Sequence, residues 1–95
     1  MALHWELAEI ELRFPGARTL KDKRARLRPV LDRIRARFPV SVAETGRQDE
    51  LQRGEFGVAM VASERLILDN TFRQIGELLE LQDGWELVRF DRDGE

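Results

Sequence analysis

The spacing at which apolar residues recur changes along the chain, and the order of these changes limits the folds open to it. The first segment, residues 2–14, alternates between apolar and polar positions, as expected for a half-buried strand. Its apolar positions lie on one side of the alternation: Ala8, Ile10, Leu12 and Phe14. Pro15-Gly16 follows as a turn signal, so the strand is predicted to end there.

The second segment has helical spacing. Thr19 is a predicted N-cap, with Asp22 three residues later in a capping-box-like position. The predicted apolar stripe consists of Leu20, Leu27, Leu31, Ile34 and Phe38. Pro29 lies ten residues past the cap and faces away from this stripe, which predicts a kink or local break that leaves the core intact.

Four further elements follow from the same two spacings. Period-two patterns predict strands over Val40–Thr45, Glu55–Ala62 and Trp85–Asp91. Ser63 is a predicted cap for a second helix that ends near Leu81. A polar connection occupies residues 46–54, and we expect a frayed tail over 93–95.

The resulting order, βαββαβ, is typical of the ferredoxin-like α+β fold. Right-handed crossovers place both helices on one face of a four-stranded antiparallel sheet, with spatial order 4-1-3-2. The length of 95 residues suits a single ferredoxin-like domain spanning residues 1–95.

Charge is distributed very unevenly around this framework. Residues 13–37 contain ten of the sixteen basic residues and only Asp22 and Asp32 as acidic ones, a net charge of +8. The remainder has six basic and sixteen acidic residues, a net charge of −10. A basic segment of this strength attracts polyanions such as RNA.

On a helical wheel the basic residues fall into two rows with a strip of small residues and aspartates between them. The first row contains Lys21, Arg24, Arg28 and Arg35, and the second row contains Arg26, Arg33 and Arg37. With Arg18, these rows are the candidate RNA- or anion-binding residues. Lys23 falls near the edge of the apolar stripe, from which it is expected to reach solvent. The alternative is a solvated helix whose charges pair locally or with the acidic second helix.

The outward face of the first strand is predicted to contain Trp5, Leu7, Glu9 and Glu11. The two carboxylates would repel phosphate, which argues against RNA binding on the sheet. Trp5 and Leu7 are instead interface candidates for a homodimer or a protein partner. The second hypothesis is therefore a protein-interaction module that uses the sheet face or an edge strand.

The sequence gives little support for catalysis. There is no cysteine, and His4 is the single histidine, so we expect no metal site, no cofactor and no nucleophilic enzyme. An enzyme acting on a small anion would need a pocket containing Gln48 or Arg53. The loop residues Gln48, Asp49, Gln52 and Arg53 are also binding candidates.

Without a signal-like start or an apolar run near eighteen residues, we expect a cytoplasmic protein and no membrane contact.

Several segments together resemble one family. They are Glu9–Leu12, the run Pro15-Gly16-Ala17-Arg18-Thr19-Leu20-Lys21-Asp22-Lys23-Arg24, Val40–Glu44, Gln48-Asp49 and Gln52-Arg53 before Gly57-Val58-Ala59. This pattern is similar to the YlxP-like family (domain of unknown function 503) of small bacterial proteins. Ala17, Thr19 and Asp22 replace Ser, Ser and Glu, and Glu50-Leu51 stands where Leu-Trp is usual. The resemblance implies a ferredoxin-like fold. Because members are often encoded near translation-initiation and ribosome-maturation genes, it also implies rRNA or a ribosomal surface as partner. The resemblance to this family implies no catalytic residue.

Overall fold

The computed structural model describes residues 2–81 and 83–95. The elements are β1 (His4–Arg13), α1 (Leu20–Arg37), β2 (Ser41–Gly46), β3 (Arg53–Ala62), α2 (Arg65–Leu79) and β4 (Glu86–Gly94). All strand pairs are antiparallel, and the sheet order is β2-β3-β1-β4, which is the predicted order read from the other edge. The ferredoxin-like α+β fold is confirmed.

Both helices pack on the same side of the sheet. The β1 residues Ala8, Ile10 and Leu12 point to this side and are fully buried with apolar residues of α1 and α2. The opposite face of the sheet, called here the open face, has no helix over it among the described residues. Neither α1 nor α2 is long and apolar enough to cross a membrane.

The start of α1 is as predicted. The Thr19 side chain accepts a hydrogen bond from the Asp22 amide at 3.0 Å, so it satisfies one of the unpaired amides of the first turn. The helix runs unbroken through Pro29 to Arg37, so the predicted local break is wrong. Pro29 lies on the exposed side, where water can solvate the helix carbonyl that a proline leaves without a donor.

The other boundaries show where local signals were insufficient. β3 begins at Arg53, two residues before the predicted start, and α2 begins at Arg65 with no side-chain cap at Glu64. The predicted frayed tail is wrong, because β4 continues to Gly94. Glu95 then exchanges two backbone hydrogen bonds of 2.9 Å with Trp5. Pairing with the central strand β1 orders this end of the chain.

The early start of β3 places Gly54 against the core and generates a stability prediction. A Cβ at Gly54 would lie 2.9 Å from a Phe14 ring carbon and 3.3 Å from a Leu27 methyl. Gly54→Ala should lower the free energy of unfolding by about 1–3 kcal/mol, since both neighbours are buried and close-packed. Urea denaturation monitored by tryptophan fluorescence measures this.

Gly57→Ala is the matched control on the same strand. Its Cβ would meet only ordinary contacts, 3.5 Å from a Thr45 methyl and 3.8 Å from the Ala8 carbonyl. Stability should stay unchanged or rise by up to about 1 kcal/mol. Equal unfolding midpoints for the two variants would contradict the packing described for Gly54.

Candidate nucleic-acid interface

Ion pairs are distributed unevenly between α1 and the rest of the molecule. Every arginine outside residues 18–37 pairs with at least one carboxylate: Arg13, Arg47, Arg53, Arg65, Arg73, Arg89 and Arg92. Within residues 18–37, the arginines that pair with a described carboxylate are Arg26 and Arg35, and their partners are the helix's own aspartates. The arginines elsewhere are therefore neutralised locally.

One reason for this distribution is a buried carboxylate on the helix side of β1. Glu6 is 2% exposed, and its carboxylate contacts the guanidinium groups of Arg65 and Arg92. Asp69 accepts a further bond from Arg65 at 3.2 Å. Glu6 is absent from the candidate residues named from the sequence, although the period-two pattern places it on the same face as Ala8 and therefore in the core.

A second buried carboxylate lies on the open face. Glu11 is 5% exposed, so the expectation of an exposed carboxylate there is wrong. Arg53 covers it directly, and the Arg47 Nε lies 3.4 Å from its Oε1. Glu50 accepts a hydrogen bond from Arg47 at 3.0 Å, which raises the pKa of that guanidinium. These ion pairs cover one end of the open face.

The acidic residues of α2 do not neutralise α1. Asp69 bonds to Arg65 and Arg92, and Glu77 bonds to Arg73 at 3.0 Å. In the described parts of the chain, no α2 carboxylate lies within ion-pair distance of an α1 side chain. From the sequence alone α2 could have cancelled the α1 charge, but the ion pairs of the α2 carboxylates lie within α2 and with β4.

Two arginines of α1 are engaged within the protein. Arg26 bonds to Asp22 at 2.9 Å, to the Pro15 carbonyl at 2.7 Å and to the Gly84 carbonyl at 3.4 Å. Arg35 bonds to the Val42 carbonyl of the edge strand β2 at 3.1 Å and to Asp32 at 3.5 Å. Across residues 2–81 and 83–95, six exposed basic residues of this segment make no ion pair: Arg18, Lys21, Arg24, Arg28, Arg33 and Arg37.

The two rows face different surroundings. Lys21, Arg24 and Arg28 of the first row are exposed and, with Ala25, line a shallow depression of about 450 Å³. Arg35 continues this row to the β2 edge, so the first row faces away from α2. Arg37 of the second row instead shares a cavity of about 440 Å³ with Arg73 and Glu77 of α2. The first row is thus the more accessible surface and holds three of the unpaired basic residues of α1, while the second row holds two.

Lys23 is buried and connects two parts of the fold, so it does not belong to the surface of α1. The side chain is 2% exposed, and its Nζ donates to the carbonyls of Arg47 at 2.6 Å and Glu50 at 2.7 Å. The expectation that Lys23 reaches solvent is wrong, because two loop carbonyls satisfy the ammonium inside the protein. Burial lowers its pKa, although the charge of Glu44 opposes the shift. Lys23 thereby fixes the β2–β3 loop to α1.

The loop candidates divide into two pairs. Gln52 donates to the Ala17 carbonyl at 3.3 Å, and Arg53, the first residue of β3, binds Glu11. Gln48 and Asp49 are exposed in the loop. The first pair therefore stabilises the fold, and the second pair remains accessible to a partner.

The open face has an accessible apolar half. Leu7 is 36% exposed, and Trp5 is partly buried. Val61 of β3 is 64% exposed, although it is not among the interface candidates named from the sequence. A groove of about 340 Å³ next to Leu7 includes Ala59 among its lining residues. Among the described residues, no three metal-ligating side chains come together.

Comparisons with known proteins agree on one family. The model of the family described as "Protein of unknown function (DUF503)" matches residues 6–92. A relative from Bacillus subtilis (strain 168), described as "Uncharacterized protein YlxP", is 40% identical over 68 residues. The aligned region covers 72% of this chain and 74% of that relative.

The buried position of Lys23 predicts an unusual titration. In a Lys21→Arg variant Lys23 is the single lysine, and its Nζ should titrate below the usual lysine pKa because burial disfavours the charged form. The unfolded chain then binds this proton more tightly than the folded chain does. The free energy of unfolding contributed by this group should therefore rise with pH between the folded and unfolded pKa values.

Side-chain NMR of the lysine ¹³Cε and ¹⁵Nζ measures this titration directly. The urea-unfolded protein supplies the reference value under the same conditions. A folded pKa at or above the unfolded one would contradict the burial of the ammonium.

Proposed function

The chain belongs to the family of proteins of unknown function DUF503, and we propose that it is a non-enzymatic, cytoplasmic RNA-binding accessory protein. It contacts rRNA or a ribosomal surface through α1. The observation that carries this proposal is the set of six exposed basic side chains for which the described residues supply no carboxylate partner, in a molecule whose arginines outside residues 18–37 are all paired. Fixed positive charge without internal compensation is the electrostatic signature of a polyanion-binding surface.

The position of these charges along α1 supports the same proposal. Lys21 is the second residue of the helix and Arg24 the fifth, with Arg18 just before the cap. Cations near a helix N-terminus are unfavourable because the helix dipole is positive there. Lys21, Arg24 and Arg28 also repel one another at spacings of three and four residues. A phosphate ligand relieves both penalties.

Only one row can meet a given phosphate array. At 100° per residue the two rows lie on opposite flanks of α1, and Arg37 of the second row lies beside α2. The binding surface is therefore the accessible part of the first row with Arg18, which offers about four phosphate contacts. For double-helical nucleic acid, four contacts give a slope of log affinity against log salt of about −3.6.

Two matched double variants test the location of the surface. Arg24→Gln/Arg28→Gln should weaken binding of an rRNA fragment roughly sixty-fold at 0.1 M salt and reduce the slope by about 1.8. Arg33→Gln/Arg37→Gln removes the same charge from the opposite flank and should change affinity less than about three-fold. Fluorescence anisotropy across a salt series measures both quantities.

Because the two variants have the same net charge, a general electrostatic effect would weaken both equally. Equal losses would therefore contradict the assignment to the first row. Absence of RNA binding by the wild-type protein at low salt would contradict the proposed function itself.

A second candidate function rests on the apolar half of the open face. Val61, Leu7 and Trp5 form an accessible patch beside small residues that allow close approach of another surface. A second copy of the chain could cover this patch in a homodimer, with no role for nucleic acid. This candidate makes no use of the α1 charges.

Light scattering tests the homodimer. If the open face forms it, the wild-type protein should have twice the monomer mass, and Val61→Glu should return it to the monomer mass because a charge would be buried in the contact. Ser63→Glu, at an exposed position after β3, is the control and should leave the dimer intact. A monomeric wild-type protein at high concentration would contradict this candidate.

A further inference from the structure

We infer that the first row binds the phosphate backbone of double-helical RNA and does not read base sequence. This inference rests on the proposed function and specifies its ligand. It follows from three properties of the described α1 surface: no aromatic side chain lies beside the row, the charged residues recur at regular intervals along one helix, and the polar side chains that border the row are already hydrogen-bonded within the protein.

No stacking platform accompanies the row. The aromatic residues of the chain are Trp5, Phe14, Phe38, Phe56, Phe72, Trp85 and Phe90. Five of them are buried in the core, Trp5 lies on the open face, and Phe90 packs against Gly76 of α2. Proteins that bind single strands rely on aromatic stacking for much of their affinity. In the part of the chain that the structure describes, the first row offers no such contact.

The spacing of the charges is fixed by the helix. Lys21 and Arg28 are seven residues apart, which is about 10 Å along the axis, with Arg24 between them. The hydrogen bond from Arg35 to the Val42 carbonyl holds the far end of the row against β2. Charged side chains anchored at regular intervals on a rigid helix match the regular phosphate positions of a duplex better than those of a flexible strand.

The neighbouring side chains cannot read bases. Ala25 and Pro29, which border the row, have no hydrogen-bonding side-chain groups. The Asp32 carboxylate next to them accepts a hydrogen bond from Arg35 at 3.5 Å, and the Thr19 hydroxyl caps the helix. The major groove of duplex RNA is too deep and narrow for side chains to read. Lys21, Arg24 and Arg28 therefore meet phosphate oxygens, which contain no sequence information.

The difference between the two RNA forms can be estimated. Each contact contributes a salt slope of about −0.9 on a duplex and about −0.7 on a single strand. With four contacts at 0.1 M salt, counterion release then favours the duplex roughly six-fold. This preference arises from the density of backbone charge and requires no contact to a base.

The experiment compares three RNAs of equal length with the full chain: two duplexes of unrelated sequence and one unstructured single strand. Fluorescence anisotropy at several salt concentrations gives affinities for the wild-type protein and for Arg24→Gln/Arg28→Gln. We expect the two duplexes to bind within about two-fold of each other and the single strand to bind roughly six-fold more weakly. The variant should lose affinity for all three.

The outcomes separate the inference from the proposed function. If the single strand binds as tightly as the duplexes, or one duplex sequence is preferred more than about ten-fold, the inference is overturned. The proposed function survives in that case, provided that the variant still loses affinity. If no RNA binds, or the variant binds as well as the wild-type protein, both are overturned.

Discussion

The charge distribution of this protein depends on two carboxylates buried on opposite faces of the central strand β1. Glu6 lies on the helix side and Glu11 on the open face, each at most 5% exposed. A buried carboxylate is strongly unfavourable unless it is paired and hydrogen-bonded, and losing one partner of such a pair costs about 3–5 kcal/mol. The fold therefore has to bring arginines to β1, and it draws them from α2, β3, β4 and the β2–β3 loop.

This requirement explains why α1 differs from every other element. The arginines outside residues 18–37 are held by carboxylates in pairs that stabilise the sheet and α2. Among the described residues, the carboxylates that pair with α1 are its own Asp22 and Asp32, which bind Arg26 and Arg35. A chain with a net charge of −2 thereby presents one uncompensated basic surface, which long-range electrostatics can direct toward a polyanion.

The fold could be predicted from the sequence because its signals are local. Alternation of Ala8, Ile10 and Leu12 specifies the buried face of β1, and the helical stripe of α1 specifies its packing side. The errors occur where a distant segment decides the outcome. Lys23 is buried because loop carbonyls reach it, and the end of β4 is ordered because Trp5 pairs with Glu95. The basic rows followed from the helical wheel, but their compensation depends on tertiary contacts that no local pattern specifies.

The most direct test of the central claim is the hydrogen exchange of arginine Nε–Hε groups measured by ¹⁵N NMR, with and without duplex RNA. If Arg24 and Arg28 are unpaired and bind RNA, their Nε–Hε groups should exchange fast in the protein alone, because no described carboxylate holds them. Their exchange should become slower when RNA is added. Arg92, whose Nε contacts the buried Glu6, should exchange slowly in both states. Slow exchange of Arg24 and Arg28 in the protein alone, or no change on adding RNA, would contradict the account.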